Sequence, residues 1–183
     1  MNPDDPRARR TRDRLRSTLL SLAAEQELES LTMAAVARRA EVNRATVYQH
    51  YPDLESLISD AMEGAVSHVA RCAELCPLDA PRDRAPEPLE ALFGHVADHA
   101  VLYRRMFSDR GGARLTNQLR SRITEVLAAR FAEGARPPGF GDVPVPLHAA
   151  YLAGALVGAI AHAAGEEGSP GDRALATWRL LRG

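Results

Sequence analysis

An all-α chain of about nine helices, with a three-helix head and a larger helical body, is predicted by three observations. No stretch of any length alternates apolar and polar residues as a strand does. Apolar residues recur instead at three- and four-residue spacing, the period of one helix face. Clusters of Pro and Gly interrupt that spacing, among them "PLDAPRDRAPEP" from Pro77 and "RPPGFGDVPVP" from Arg136.

The elements follow in order. Leu15, Leu19, Leu22 and Ala23 form one inward stripe on a first helix from Asp5 to Gln26. Thr32 caps a second helix, whose inward positions are Met33, Val36, Ala37 and Ala40. Glu41 and Val42 make a tight turn, and Asn43 caps a third helix that stops near Tyr51, because Pro52 disfavours a helical residue before it. Asp53 caps a fourth helix from Leu54 to Cys76. After the Pro-rich loop come a helix from Glu87 to His99 and a shorter one to Ser108. Gly111 and Gly112 break the chain. The next helix runs from Ala113 to Gly134 on a stripe of Leu115, Leu119, Ile123, Val126, Leu127 and Phe131. The eighth is "LHAAYLAGALVGAIAHAAG", Leu147 to Gly165, and the ninth spans Pro170 to Leu181.

The 183 residues carry a net charge of −1, so the chain as a whole is no polyanion binder. The sign is divided, however. Within Arg7 to Arg16 six arginines face only Asp13, which suggests a local anionic partner or a solvated basic arm. No lysine occurs. Cys72 and Cys76 are four apart on a helix, a geometry that does not bridge, and the N-terminus has no apolar signal region. The protein is expected to be cytoplasmic.

The second and third helices, joined by a few residues, match the helix-turn-helix unit, whose second helix lies in the DNA major groove. Counting 100° per residue along "NRATVYQH", Val47 and Tyr51 face inward while Arg44, Ala45, Tyr48 and Gln49 face out, flanked by Thr46 and His50. Arg44 suits a guanine edge and Gln49 an adenine; Ala45 permits close approach or meets a thymine methyl. Thr32, Asn43, Thr46, Tyr48 and His50 suit phosphate oxygens, with Arg9, Arg10 and Arg12 adding phosphate or minor-groove contacts. Taken singly, each of these residues reads better as a cap, a residue packed on the first helix (Tyr48) or an ordinary surface residue. As a set on one short capped helix they read as a double-stranded DNA interface.

"LTMAAVARRAEVNRATVYQHYPDLESLI", Leu31 to Ile58, resembles the DNA-binding head of the TetR family of transcriptional regulators. The resemblance rests on Thr32, "VARRA", Val42, Thr46, Tyr48, His50, Tyr51, Glu55 and Leu57, about a quarter of the chain. Four departures stand out: Glu41 replaces the usual turn Gly; Gly or Pro is usual near Ala45; Leu54 replaces a Lys that contacts phosphate; and "EQELESLT" lacks the usual Gly. The resemblance implies a head at residues 1–52, a ligand-binding and dimerisation body at 53–183, and a homodimeric repressor that a small-molecule effector releases from a palindromic operator. A ligand-independent or activating regulator is the alternative.

For the body, Phe93, Val96, His99, Tyr103, Met106, Phe107 and Tyr151 are the pocket candidates, mixing apolar bulk with a few polar groups. Gly154, Ala155 and Gly158, with Leu175 and Trp178 of the last helix, are the dimer-interface candidates, since small residues let helices approach closely. His95 and His99 have metal-sharing spacing, but no third ligand is near in sequence, so no metal and no cofactor is expected. An enzyme lacks support: there is no Gly-rich phosphate loop, GxSxG or HExxH. A membrane or scaffold reading rests on Leu147–Gly165 alone, whose Ala and Gly are weakly hydrophobic, so no membrane partner is expected.

Overall fold

The computed structural model describes residues 5–26, 30–107 and 112–182, and of 112, 114 and 115 the backbone only. The expected helix stop at Ser108, the break at Gly111, the Leu115 side chain and the middle of "EQELESLT" lie outside the described residues. Among the described residues the fold is all-α with nine helices and no strand. They are α1 (Pro6–Glu25), α2 (Met33–Arg39), α3 (Arg44–His50), α4 (Leu54–Leu75), α5 (Glu87–Asp98), α6 (Ala100–Met106), α7 (Gly112–Ala132), α8 (Val145–Gly165) and α9 (Pro170–Leu181). The chain divides into two compact units, Met1–Gly64 and Ala65–Gly183.

In the first unit α1 packs on α2 and α3, and α2 on α3. The expected stripe of α1 is its buried face: Leu15 and Leu19 are fully buried, with Leu22 and Ala23 beside them. Val36 of α2 and Val47 of α3 are also fully buried. Each such side chain contributes about 1.5–3 kcal/mol on leaving water. The helix starts obey the capping rule, with a side-chain oxygen taking one of the free N–H groups. Asp5 accepts from the Arg7 N–H at 2.9 Å, Thr32 from Ala35 at 3.2 Å and Asn43 from Ala45 at 2.8 Å.

The second unit is organised around α8, which packs on α5, α6, α7 and α9. By length and composition α8 could cross a membrane, yet half of its most apolar window is buried inside this unit. It carries no arginine or lysine of its own to meet its C-terminal carbonyls, His162 being the one basic residue of its last turn. Arginines from neighbouring helices do so: Arg104 reaches the Ala164 carbonyl at 3.4 Å, and Arg173 reaches Ala163 at 2.7 Å and Glu166 at 2.6 Å. The Pro-rich loop is fastened to α9, where Trp178 Nε1 donates to the Pro81 carbonyl at 2.8 Å and Arg182 Nη1 to Leu78 at 2.5 Å.

Candidate nucleic-acid interface

α3 is held from three sides. Val47 anchors its inner face with no exposed surface, and Tyr51, at the C-cap, is 5 % exposed. The Tyr51 hydroxyl donates to the Asp60 carboxylate on α4, and Arg16 on α1 lies 3.6 Å from the same carboxylate. Burial, with that hydrogen bond second, pushes the Tyr51 phenol well above its ordinary pKa, so it stays a donor at all working pH values. The third hold is the turn. Glu41 has φ 51°, the left-handed conformation that glycine adopts freely and other residues adopt at a cost. The turn therefore keeps the shape a glycine would give it, although the residue differs. Arg14 on α1 lies 2.9 Å from the Glu41 carboxylate, a partner that a glycine would not have.

With the inner face so fixed, Arg44, Ala45, Tyr48 and Gln49 are exposed together, and Thr46 and His50 are half-buried beside them. The Arg44 guanidinium lies over the Tyr48 ring, 5.7 Å from its centroid. Stacking of this kind orients a guanidinium while leaving its N–H groups outward. The sequence carried this pair as an i, i+4 spacing that went unread. Among the described residues no carboxylate pairs with Arg44, Arg9 or Arg10. Arg14, Arg16 and Arg39, by contrast, are each engaged by acidic residues. The arginines at residues 7–16 are helical rather than a loose arm, since α1 begins at Pro6. His50 has its pKa lowered by partial burial and then by the Arg12 charge, which makes it a neutral N–H donor near pH 7. Leu54 is half-buried at the first turn of α4.

The body places its candidates differently from the expectation. Phe93, Val96, Tyr103 and Met106 are buried core, His99 and Phe107 are half-buried, and Tyr151 is exposed at 67 %. None of these lines the apolar cavity of the second unit, whose volume is about 40 Å³. Cys72, Cys76, Leu89, Leu127, Leu156 and Trp178 are among the residues that do. Helical spacing tells inside from outside, but not which interior positions leave a gap. Trp178, expected at an interface, is 1 % exposed and Leu175 is half-buried. Gly154, Ala155 and Gly158 are exposed, and a Cβ added at Gly154 or Gly158 would meet nothing within 4 Å. Leu147, Tyr151 and Leu180 are the large apolar residues exposed on α8 and α9.

His95 and His99 acquire neighbours from other helices. The His68 ring stacks on His95 at 4.1 Å, and Tyr103 Oη lies 3.1 Å from His95 Nδ1. Burial, then the His68 and His99 charges, push His95 down to about 3. The rings stack rather than converge, and no group of three donors able to hold a metal occurs among the described residues. Cys72 and Cys76 are free and buried; burial raises both thiols, Cys76 to about 11, so neither is a ready thiolate.

Comparisons with known proteins bear on this arrangement. Residues 16–61 match the family described as bacterial regulatory proteins, tetR family. The chain is 27 % identical over 130 residues to an HTH-type transcriptional regulator of Mycobacterium bovis, covering 69 % of this chain and 67 % of that protein. Its fold is similar to a TetR-family transcriptional regulator from Syntrophomonas wolfei, with a TM-score of 0.68, 14 % identity and coverage of 95 % and 94 % of the two chains. It is also similar to RolR solved with its ligand resorcinol, with a TM-score of 0.52, 20 % identity and coverage of 94 % and 87 %.

Proposed function

The chain is a TetR-family transcriptional regulator that binds DNA and is not an enzyme, and on that footing we propose that it is a cytoplasmic, homodimeric repressor that a small molecule releases from a palindromic operator. The observation that carries the DNA half is the outer face of α3, where Arg44, Ala45, Tyr48 and Gln49 are exposed and Arg44 has no acidic partner among the described residues. Arg44 and Gln49 read base edges; Tyr48, His50, Thr46, Thr32, Asn43 and Arg10 hold the backbone. Without the usual lysine at Leu54, Arg9 and Arg10, which have no acidic partner among the described residues, supply the missing positive charge.

The dimer forms through the open face of α8, where Gly154, Ala155 and Gly158 permit close approach, with the exposed Leu147 and Tyr151 of the same helix and Leu180 of α9 as apolar contacts. Two copies of α3 then meet successive major grooves about one helical turn apart. Release follows from a ligand that binds one of two body states better than the other. The resorcinol bound by RolR supports a body of this kind taking a small molecule.

Selection of bound duplexes from a random pool tests this reading. It should enrich an inverted repeat whose affinity falls steeply with salt. Enrichment of no sequence would overturn it.

A further inference from the structure

The cavity of the second unit is apolar on every side but one. Cys72 and Ala73 of α4, Cys76 just after it, Leu89 and Leu92 of α5, and Leu127 of α7 form part of its wall, and among the described residues Arg182 is the only charged one lining it. Arg182 is an anomaly there. Its Nη1 donates to the Leu78 carbonyl, and its guanidinium lies 5.5 Å from the Trp178 ring centroid. Its Nε is buried and has no hydrogen-bond partner. No carboxylate pairs with it among the described residues. A buried N–H of a charged group left without an acceptor costs stability, so it calls for an explanation.

We propose that this cavity binds a small apolar monocarboxylate, its hydrocarbon part among the leucines and its carboxylate on the free Nε edge of Arg182. A carboxylate is the acceptor that matches two parallel guanidinium N–H bonds, and with Nη1 already engaged the Nε–Nη2 edge remains for it. A neutral amide or alcohol would satisfy one bond and leave the charge unmatched. The volume of about 40 Å³, the room of about three water molecules, limits the buried part to a short alkyl chain. The proposal deepens the ligand-responsive reading above and rests on it for its regulatory meaning, though the binding stands by itself.

Trp178 is the only tryptophan and lines the cavity, so its fluorescence reports occupancy in the full chain. Butyrate and valerate should each give a saturable change, at least tenfold tighter than butyramide and valeramide. Arg182→Gln should remove that preference, and Arg182→Lys, which keeps the charge but not the fork, should restore part of it. Thermal unfolding of both variants checks that they fold. Equal binding of acid and amide, or no response to any of the four, would overturn the proposal. Release of the selected duplex, read in parallel, separates the two ideas. Acids that bind but leave the duplex in place support this site and contradict effector control. Neutral compounds that release the duplex while the acids leave Trp178 unchanged contradict this site and keep effector control.

Discussion

α3 and α8 put their residues to opposite uses. α3 is seven residues long, buries Val47 alone and spends the rest of its surface on polar side chains. α8 is twenty-one residues long, buries nine and carries no arginine, lysine or acidic side chain. On the proposed reading, function in α3 lies in residue identity, because a donor on a short exposed helix has no packing reason to be there. In α8 the same residue types serve as core, cavity wall and open face, and only position separates them. A polar site is therefore readable from its letters, whereas an apolar one becomes readable only when the neighbours are placed.

The largest expected effect probes the buried side of that contrast. Trp178→Ala removes a fully buried ring and its hydrogen bond to Pro81, and should cost about 3–5 kcal/mol in denaturant unfolding. A cost below 1 kcal/mol would mean that Trp178 lies on a surface after all. Gly158→Arg probes the open face of the same helix. Nothing lies within 4 Å of the added Cβ, and glycine is the poorer helix former, so the monomer should be as stable or up to about 0.8 kcal/mol more stable. Sedimentation should nonetheless show the dimer weakened at least tenfold; an unchanged dimer would move the interface elsewhere.

A smaller effect comes from the histidine cluster. His95 stays neutral in the fold, with its pKa pushed down to about 3, whereas in the unfolded chain it titrates near 6.5. Above about pH 6.5 both states hold it neutral and stability is full. As pH falls from there towards 3 the unfolded chain takes up a proton that the fold refuses, so stability drops. Melting temperatures at about pH 7.5 and pH 5 should differ in that direction, and His95→Gln should narrow the gap. A melting temperature that rises on acidification would contradict the burial of His95.

The smallest effect is at the turn before α3. Glu41→Gly relieves the left-handed backbone but loses the exposed Arg14 pair and gains chain entropy in the unfolded state, leaving the head about 0.5 kcal/mol more stable. Destabilisation by more than 1 kcal/mol would show that the ion pair is what holds the turn.

These contrasts explain what the sequence made legible. Helix bounds followed from Thr32, Asn43, Pro52 and Pro170, because caps and prolines act locally. The faces of α3 followed from 100° per residue and one hydrophobic anchor, Val47. What could not be read were the contacts made across the chain: Tyr51 to Asp60, Arg14 to Glu41, and Trp178 to the Pro81 loop. The cavity was missed for the same reason. Its walls come from α4, α5, α7, α8 and α9, and no single helix periodicity records where five helices leave a gap.

The central claim is that the outer face of α3 reads bases, and binding by Arg44→Ala to the selected duplex and its single-base variants tests it most directly, with Arg10→Ala alongside. The account predicts that Arg44→Ala loses about 1–3 kcal/mol at one base position and becomes indifferent to that base, while Arg10→Ala weakens all duplexes alike and lowers the salt slope. Uniform weakening by Arg44→Ala across every variant would contradict it.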